Sequence, residues 1–224
     1  MTKLHYPRNG YVVVLSGGLD STVLLGHLLE QGYYCRAMSV DYGQRHRREL
    51  GSAARVAKFY DVTHDVIDLS SLGHCLVGSA LTDARVDVPR GHYEDASMKT
   101  TVVPNRNMVL LSVALSIAAS ANLHGVAYGA HAGDHAIYPD CRPVFVDAMR
   151  SAAQVCHYNR LHISAPLVDL DKGDIVRLGL EIEAPLQMTW TCYNGGDDPC
   201  GQCGSCVERA EAFADNGIPD PLTC

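Results

Sequence analysis

Residues 16–22, with the sequence Ser-Gly-Gly-Leu-Asp-Ser-Thr, combine glycines, hydroxyls and one carboxylate in a short run. Glycines let backbone N–H groups approach an anion, and the positive end of a following helix dipole favours a phosphate there. Asp20 would repel that phosphate unless a divalent cation such as Mg²⁺ bridges the two. The run therefore predicts a phosphate site. An ordinary glycine turn with a Ser or Asp helix cap is the alternative.

A second run of reactive side chains lies near the C-terminus. Cys192, Cys200, Cys203 and Cys206 follow the spacing C-x7-C-x2-C-x2-C, with Gly and Pro between them. Four thiolates in so short a segment can close around one tetrahedral Zn²⁺, and such a closed shell leaves no position for a catalytic water. The sequence thus predicts one structural zinc ion per chain. An iron–sulfur cluster, a redox Cys pair and free thiols are the alternatives.

The overall composition narrows the class of protein. The chain has 224 residues, a net charge of −7 and nine cysteines, an odd number that rules out complete disulfide pairing. An acidic chain is a poor candidate for non-specific binding to nucleic acid or anionic membranes. No secretory leader and no stretch of 18 apolar residues is visible, so we expect a cytoplasmic protein that acts on small molecules.

The elements that must position these residues alternate between strands and helices. Apolar runs predict strands over 11–15, 35–40, 62–69, 126–130 and 161–167. Helical spacing predicts helices over 23–32, 44–60, 107–124, 143–157, 171–182 and about 207–215. Residues 70–104 lack periodicity and are interpreted as a long loop or a mobile cover over a site. The alternation predicts an α/β fold with a doubly wound, mostly parallel, five-stranded sheet.

The composition changes after Pro185, where Cys, Gly and Asp become frequent. Residues 1–185 are therefore predicted to form a nucleotide-binding α/β domain. Residues 186–224 are predicted to form a small zinc-binding segment followed by a helix.

The glycine-rich run lacks the Gly-Lys-Ser/Thr ending of a Walker A loop and the GxGxxG spacing of dinucleotide folds. It resembles instead the SGGxDS loop of the PP-loop ATP pyrophosphatases. The resemblance implies an adenine nucleotide alpha hydrolase-like fold and activation of a substrate oxygen by adenylation, with release of diphosphate. It assigns ATP binding to Leu15, Ser16, Gly17, Gly18, Leu19, Asp20, Ser21 and Thr22. Val40 and Tyr42 lie at the end of the second strand, where such a sheet usually receives adenosine.

Six further segments indicate which family of PP-loop enzymes the chain resembles. They are 41–46 (DYGQRH), 78–82 (GSALT), 103–107 (VPNRN), 129–134 (GAHAGD), 138–143 (YPDCRP) and 189–196 (TWTCYNGG). With the loop and the cysteines, these segments resemble the 7-cyano-7-deazaguanine synthase family over about residues 11–221. The resemblance implies conversion of 7-carboxy-7-deazaguanine and ammonia, with two ATP, to 7-cyano-7-deazaguanine, AMP and diphosphate. It also implies a homodimer.

Three residues are predicted to be catalytic on this basis. Asp20 and Asp134 would hold Mg²⁺, although Asp134 is also compatible with a plain turn carboxylate. Arg106 lies at the N-terminus of an apolar helix, where its charge opposes the dipole unless an anion lies nearby. It is predicted to contact the α-phosphate or the substrate carboxylate; a surface salt bridge is the alternative.

Four residues are predicted to contact the substrate. Asp140 would accept hydrogen bonds from the guanine-like edge, and Arg142 would pair with a phosphate or with Asp140. Arg45 and His46 belong either to the site or to a solvated helix face, whereas Arg47 and Arg48 are assigned to solvent. The role of Cys141 stays open between a small buried residue and a site contact.

Several other functions are compatible with the same loop. A tRNA thiolase usually carries extra RNA-binding modules, and synthetases with internal ammonia supply carry a glutaminase domain, for which this length leaves no room. A homologue that stops at the amide, or that serves 7-deazaguanine DNA modification or defence, shares the same activation chemistry. A non-catalytic zinc-ribbon module is the rival from another class, and the intact Asp20 argues against it.

Overall fold

A computed structural model of the chain describes residues 9–92 and 96–222 and contains one five-stranded sheet. The strands are β1 (Gly10–Val14), β2 (Tyr34–Asp41), β3 (His64–Asp68), β4 (Gly125–Ala127) and β5 (His162–Ser164), in the spatial order β3-β2-β1-β4-β5. Every strand pair among the described residues is parallel. The predicted five-stranded, doubly wound sheet is confirmed, and the sheet is more uniformly parallel than expected.

Seven helices occur among the described residues. They are α1 (Leu19–Glu30), α2 (Arg48–Phe59), α3 (Ser70–Gly73), α4 (Arg106–Ser120), α5 (Pro143–Val155), α6 (Lys172–Glu181) and α7 (Gly204–Asp215). Four short 3₁₀ turns cover Ala96–Thr101, Ala132–Ala136, Pro139–Cys141 and Leu186–Met188. None of the helices in the described part of the chain has the length and apolar character needed to cross a membrane.

Neighbouring residues of β1 face opposite sides of the sheet, because side chains alternate along a strand. Val12 packs with residues of α4 and α5, whereas Val13 packs with residues of α1, α2, α6 and α7. Both valines are fully buried. The β-branched run of β1 is therefore covered by helices on both faces, as expected for a central strand of a parallel sheet.

Three helices begin three or four residues away from the predicted start. α1 begins at Leu19 rather than 23, so that Asp20, Ser21 and Thr22 lie in its first turn. α2 begins at Arg48 rather than 44. α7 begins at Gly204 rather than about 207. Each start lies beside a turn or a capping residue, and hydrophobic periodicity alone does not reveal such a position.

Part of the C-terminal segment shares the main core. Ala212 and Phe213 of α7 are buried in the same cluster as Leu24 of α1 and Ile175 of α6. A separate small cluster contains Trp190, Cys192, Cys203 and Cys206. The change in composition after residue 185 thus marks a segment that packs directly onto the α1 side of the sheet.

Residues 70–104 carry buried anchors of their own. Ala80, Leu81, Met98 and Thr101 are each at most 1% exposed. The backbone N–H of Arg45 donates to the carbonyl of Leu81 at 2.8 Å, which joins this segment to the end of β2. The described parts of this segment, 70–92 and 96–104, therefore pack beside the carboxyl end of β2, close to the cleft described below.

Candidate functional site

An open cleft with a cavity volume of about 190 Å³ lies at the carboxyl ends of β1, β2 and β4. The chain order reverses between β1 and β4, and parallel α/β sheets bind ligands at such a switch point. Most of the predicted site residues line this cleft. They are Leu15, Ser16, Gly18, Leu19, Asp20, Ser21, Val40, Tyr42, His46, Arg106 and Asp134.

The glycine-rich loop forms one end of the cleft. Gly17 has φ of +87°, and a Cβ there would lie 2.2 Å from the carbonyl oxygen of Glu49. Ser16 Oγ lies 3.0 Å from Ser21 Oγ, and the backbone N–H of Gly18 donates to Ser16 Oγ at 3.2 Å. No side chain caps the first turn of α1 at Gly18. The loop therefore presents the N-terminus of α1 to the cleft in the arrangement that suits a phosphate.

The carboxylate of Asp20, in α1, forms an ion pair with a lysine of α6. Lys172 Nζ, in the first turn of α6, lies 2.8 and 2.9 Å from the two carboxylate oxygens of Asp20. Glu208 of α7 lies 3.3 Å from the same ammonium. Burial alone would raise the pKa of Asp20, but Lys172 and His131 outweigh it and lower that pKa. The Asp20 carboxylate is therefore ionised at neutral pH.

His131 links the two carboxylates predicted to hold Mg²⁺. Its Nε2 lies 3.8 Å from Asp20 Oδ2 and 3.5 Å from Asp134 Oδ2. The same nitrogen lies 3.0 Å from Lys172 Nζ. Asp20 and Asp134 are thus close enough to share one neighbour.

The other end of the cleft is aromatic. Tyr42 and His46 follow β2, whereas Tyr138 and Tyr193 come from the 3₁₀ region and the cysteine segment. The hydroxyls of Tyr138 and Tyr193 lie 3.3 Å apart. Burial is the main cause that raises the pKa of Tyr42 to about 12 and lowers the pKa of His46, so both are neutral at pH 7.

Five predicted site residues do not line the cleft. The guanidinium of Arg45 donates to the backbone carbonyls of Asp83 and Val86. Asp140 accepts from the backbone N–H of Asn107 at 3.0 Å, at the start of α4. Arg142 is exposed and donates to the carbonyl of His135 at 2.8 Å. Gly17 and Thr22 are buried behind the loop. The proposed ligand contacts of all five stay predictions.

Several residues in or beside the cleft were not predicted from the sequence. Lys172 and Glu208 complete the charge cluster around Asp20. Tyr128 follows β4, is 4% exposed and has a buried hydroxyl without a described partner. One signal was available for Lys172: a positive charge in the first turn of a helix opposes the dipole, as for Arg106. Glu208 and Tyr128 carry no comparable local signal.

The four predicted zinc ligands come together in space. Their Sγ atoms all lie within 4.8 Å of one another, and Cys203 is the N-cap of α7. The backbone N–H groups of Gln202 and Cys203 point at Cys200 Sγ, at 3.5 and 3.3 Å. Tetrahedral Zn–S bonds of about 2.3 Å place sulfurs roughly 3.8 Å apart, which this donor set can reach. The cluster is able to hold one metal ion.

Comparison with protein families decides the family of the chain. Residues 10–217 match the family described as queuosine biosynthesis protein QueC. The chain belongs to this family. A 7-cyano-7-deazaguanine synthase from Psychromonas ingrahamii is 49% identical over 94% of this chain and 96% of that relative. Another from Marinobacter nauticus is 51% identical over 94% of this chain and 95% of that relative. The resemblance found in the sequence motifs is confirmed.

Solved structures support the fold. An NMN synthetase from Francisella tularensis superposes with a TM-score of 0.52 at 14% identity, over 95% of this chain and 79% of that one. A predicted subunit of tRNA methyltransferase from Methanocaldococcus jannaschii gives 0.50 at 14% identity, over 94% of this chain and 89% of that one. At these identities the likeness concerns the architecture alone.

Proposed function

We propose that the chain converts 7-carboxy-7-deazaguanine and ammonia to 7-cyano-7-deazaguanine through adenylated acid and amide intermediates. Two ATP are consumed, and AMP and diphosphate are released. The observation that carries the proposal is a single cleft lined by the glycine-rich loop, Arg106 and aromatic side chains. The names of the relatives supply the identity of the substrate.

The reaction follows from the chemistry of a poor electrophile. A carboxylate oxygen attacks the α-phosphorus of ATP and expels diphosphate, which leaves an acyl adenylate. Ammonia attacks the acyl carbon, loses a proton and expels AMP, which gives the amide. The amide oxygen attacks the α-phosphorus of a second ATP and expels diphosphate, and loss of AMP and of both nitrogen-bound protons leaves the nitrile. The protein chiefly has to align the reactants and stabilise charge.

The loop end of the cleft is assigned to the phosphates of ATP. Ser16 to Thr22 would direct backbone and hydroxyl donors at them, with Leu15 at the end of β1 behind the loop. Asp20 and Asp134 would hold Mg²⁺, which supplies positive charge that offsets the phosphates. Their shared neighbour His131 supports this assignment.

Adenosine is assigned to the end of β2. Gln44 Nε2 already donates to the carbonyl of Val40, and the N–H of Tyr42 already donates to Gln44 Oε1. The N–H of Tyr42 is therefore occupied, whereas the carbonyl of Val40 can still accept a second hydrogen bond. We infer that adenosine packs against the surfaces of Val40 and Tyr42 and does not accept from the Tyr42 N–H.

The four-cysteine cluster is assigned one structural Zn²⁺. A shell of four thiolates has no position for a reacting water, so the ion would hold the segment and take no part in the reaction. Trp190 lies in the same segment, and its backbone N–H donates to the carbonyl of Gly17 at 2.9 Å. We infer that the zinc keeps this side of the phosphate loop in place.

Four predictions about partners and location rest on the resemblance and on the net charge of −7. We infer a homodimer in the cytoplasm that binds small molecules and no nucleic acid. Light scattering on the purified chain measures the oligomeric state. A monomer at micromolar concentration would contradict the dimer, and a gel shift with tRNA would contradict the absence of nucleic-acid binding.

The test supplies 7-carboxy-7-deazaguanine, ATP, Mg²⁺ and ammonia to the purified protein and follows diphosphate and product mass. We expect diphosphate release that depends on the acid, and a nitrile product. Accumulation of the amide alone would favour the alternative in which the enzyme stops there or serves DNA modification. No acid-dependent release would overturn the enzyme assignment. Asp20→Asn is the inactive reference.

A further inference from the structure

Arg106 is the first residue of α4 and lines the cleft. The only hydrogen bond of its guanidinium to a described residue is to the Tyr42 hydroxyl, at 3.5 Å. No carboxylate of the described residues lies within 4 Å of it, since the nearby Asp140 accepts from the backbone of Asn107. A guanidinium withdrawn from water without an anion is unfavourable. The position therefore calls for an anionic ligand.

Two other cations of the described chain that are buried or partly buried show the contrast. Arg209 makes a bidentate pair with Asp220, at 2.8 and 2.9 Å. Lys172 contacts two carboxylates and His131. Arg106 thus differs from both in lacking a carboxylate partner among the described residues.

The surroundings of Arg106 suit a flat ring. Tyr42, His46 and Tyr138 are each at most 6% exposed, and all three line the cleft. The ring of His46 lies 5.7 Å from that of Tyr193. The Tyr138 hydroxyl is fixed by Thr101 Oγ1 at 2.6 Å. Rigid aromatic walls beside a planar, bidentate donor match a heteroaromatic carboxylate better than a tetrahedral phosphate.

Other groups of the same cleft suit the phosphates. The N-terminus of α1 behind Ser16 and Gly18 lines the cleft, as does the Lys172 and Asp20 pair. The residues whose charges interact with Arg106 include Tyr42, Tyr138, Asp140, His46 and Cys141, and none of these belongs to the glycine-rich loop. The phosphates and the substrate carboxylate are therefore assigned to different side chains of the cleft.

We propose that Arg106 binds the carboxylate of the acid substrate and acts in only one of the two half-reactions. The inference rests on the proposed function. In the first half-reaction the substrate carries a carboxylate, which Arg106 binds. One carboxylate oxygen attacks the α-phosphorus, and diphosphate leaves. In the second half-reaction the substrate is a neutral amide, which offers no carboxylate to pair with the guanidinium.

The test compares two substrates in Arg106→Met. We expect kcat/KM for the acid, measured by ATP-dependent amide and nitrile formation, to fall about 100-fold, because a charge-assisted bidentate contact is lost. Conversion of the synthetic amide to the nitrile should fall threefold or less. Calorimetry without ATP should show the Kd of the acid raised by a similar factor and that of the amide nearly unchanged. Arg106→Lys should recover only part of the acid reaction.

The controls separate the possible outcomes. Arg177→Met removes an exposed arginine of α6 that pairs only with Asp174 among the described residues, and should leave both reactions unchanged. An equal loss for acid and amide would assign Arg106 to the α-phosphate and overturn the proposal, as would no loss for either. If Arg106→Met does not fold by circular dichroism, Arg106→Gln takes its place. Wild-type protein that converts neither substrate would instead refute the proposed function.

Discussion

Lys172 Nζ lies 2.8 Å from Oδ1 and 2.9 Å from Oδ2 of Asp20, a residue 152 positions earlier in the chain. The pair joins the first turn of α6 to the first turn of α1 beside the glycine-rich loop. Glu208 in α7 lies 3.3 Å from the same ammonium. Lys172 of α6 is therefore paired with carboxylates of both α1 and α7.

Replacing Lys172 with Met should destabilise the fold. The side chains of Lys172 and Asp20 are only 13% and 25% exposed, so removal of the cation leaves poorly solvated carboxylates unpaired. We expect a loss of about 2–4 kcal/mol in the free energy of unfolding, measured with urea. Lys58→Met, at an exposed position of α2, is the matched control. The double variant Asp20→Asn/Lys172→Met should lose less unfolding free energy than the sum of the two single variants. Additive losses would contradict the pairing.

The same pair predicts a pH dependence. The folded-state pKa of Asp20 is lowered, because Lys172 and His131 outweigh the effect of burial. The contribution of the pair to the free energy of unfolding is therefore fully present above about pH 3.9, the ordinary pKa of Asp in the unfolded chain. It is lost as the pH falls from there towards the lower pKa of Asp20 in the folded protein. We expect the difference in unfolding free energy between wild type and Lys172→Met to shrink between pH 5 and 3. A difference that stays constant over this interval would argue against the ion pair.

Cys203→Ser should remove metal and stability together. Cys203 is buried, caps α7 and lies within 4.8 Å of the other three sulfurs. We expect bound zinc, measured by mass spectrometry of the metal, to fall well below one per chain. The melting temperature should fall by about 10 °C, equivalent to ~3 kcal/mol for a chain of this size. Cys75→Ser, at an exposed free cysteine, should retain the full equivalent. Full retention in Cys203→Ser would contradict a four-cysteine site.

Asp220→Asn should weaken the attachment of the C-terminal segment. The side chains of Arg209 and Asp220 are 4% and 8% exposed and form a bidentate pair. Removal of one partner leaves the guanidinium with an uncompensated buried charge, so we expect a loss of about 3 kcal/mol in chemical unfolding. Asp215→Asn, at the exposed end of α7, should change stability by less than ~0.5 kcal/mol. Similar values for the two variants would show that the pair contributes little.

Gly17→Ala should disrupt the phosphate loop. The residue has φ of +87°, and its Cβ would lie 2.2 Å from the backbone oxygen of Glu49. Gly32 has φ of +79° but meets nothing within 4 Å, so Gly32→Ala reports the cost of the backbone conformation alone. That cost is about 1–2 kcal/mol, and we expect Gly17→Ala to exceed it clearly and to lose ATP binding by calorimetry. Equal losses of unfolding free energy in the two variants would show that the backbone of Glu49 moves easily to accommodate the added Cβ.

Features that depend on nearby residues were predictable from the sequence. The buried β-branched run before Ser16 placed the glycine-rich loop at the first strand–helix junction, and the structure agrees. The spacing of the four cysteines predicted one cluster, and their sulfurs meet. Alternating apolar periods predicted the parallel sheet. Each of these signals is contained within about 20 residues, where chain geometry leaves few choices.

Side-chain direction was harder to predict. Arg45 and His46 are neighbours, yet Arg45 bonds to the backbone of the 70–104 segment whereas His46 lines the cleft. Asp140 caps the start of α4 and does not line the cleft. Polar groups near a site compete for helix ends and loop carbonyls, and sequence neighbours do not reveal which of these a side chain will satisfy.

The loop, the cysteine cluster, the fold class and the family could thus all be predicted from the amino-acid sequence. The packing of the helices was needed to show that Lys172 pairs with Asp20 and Glu208, and that Arg106 contacts Tyr42 and no carboxylate of the described chain. The physical reason is that a charge pair depends on which helix ends the packed sheet brings within about 4 Å. Residues 152 positions apart carry no local pattern that records such an encounter.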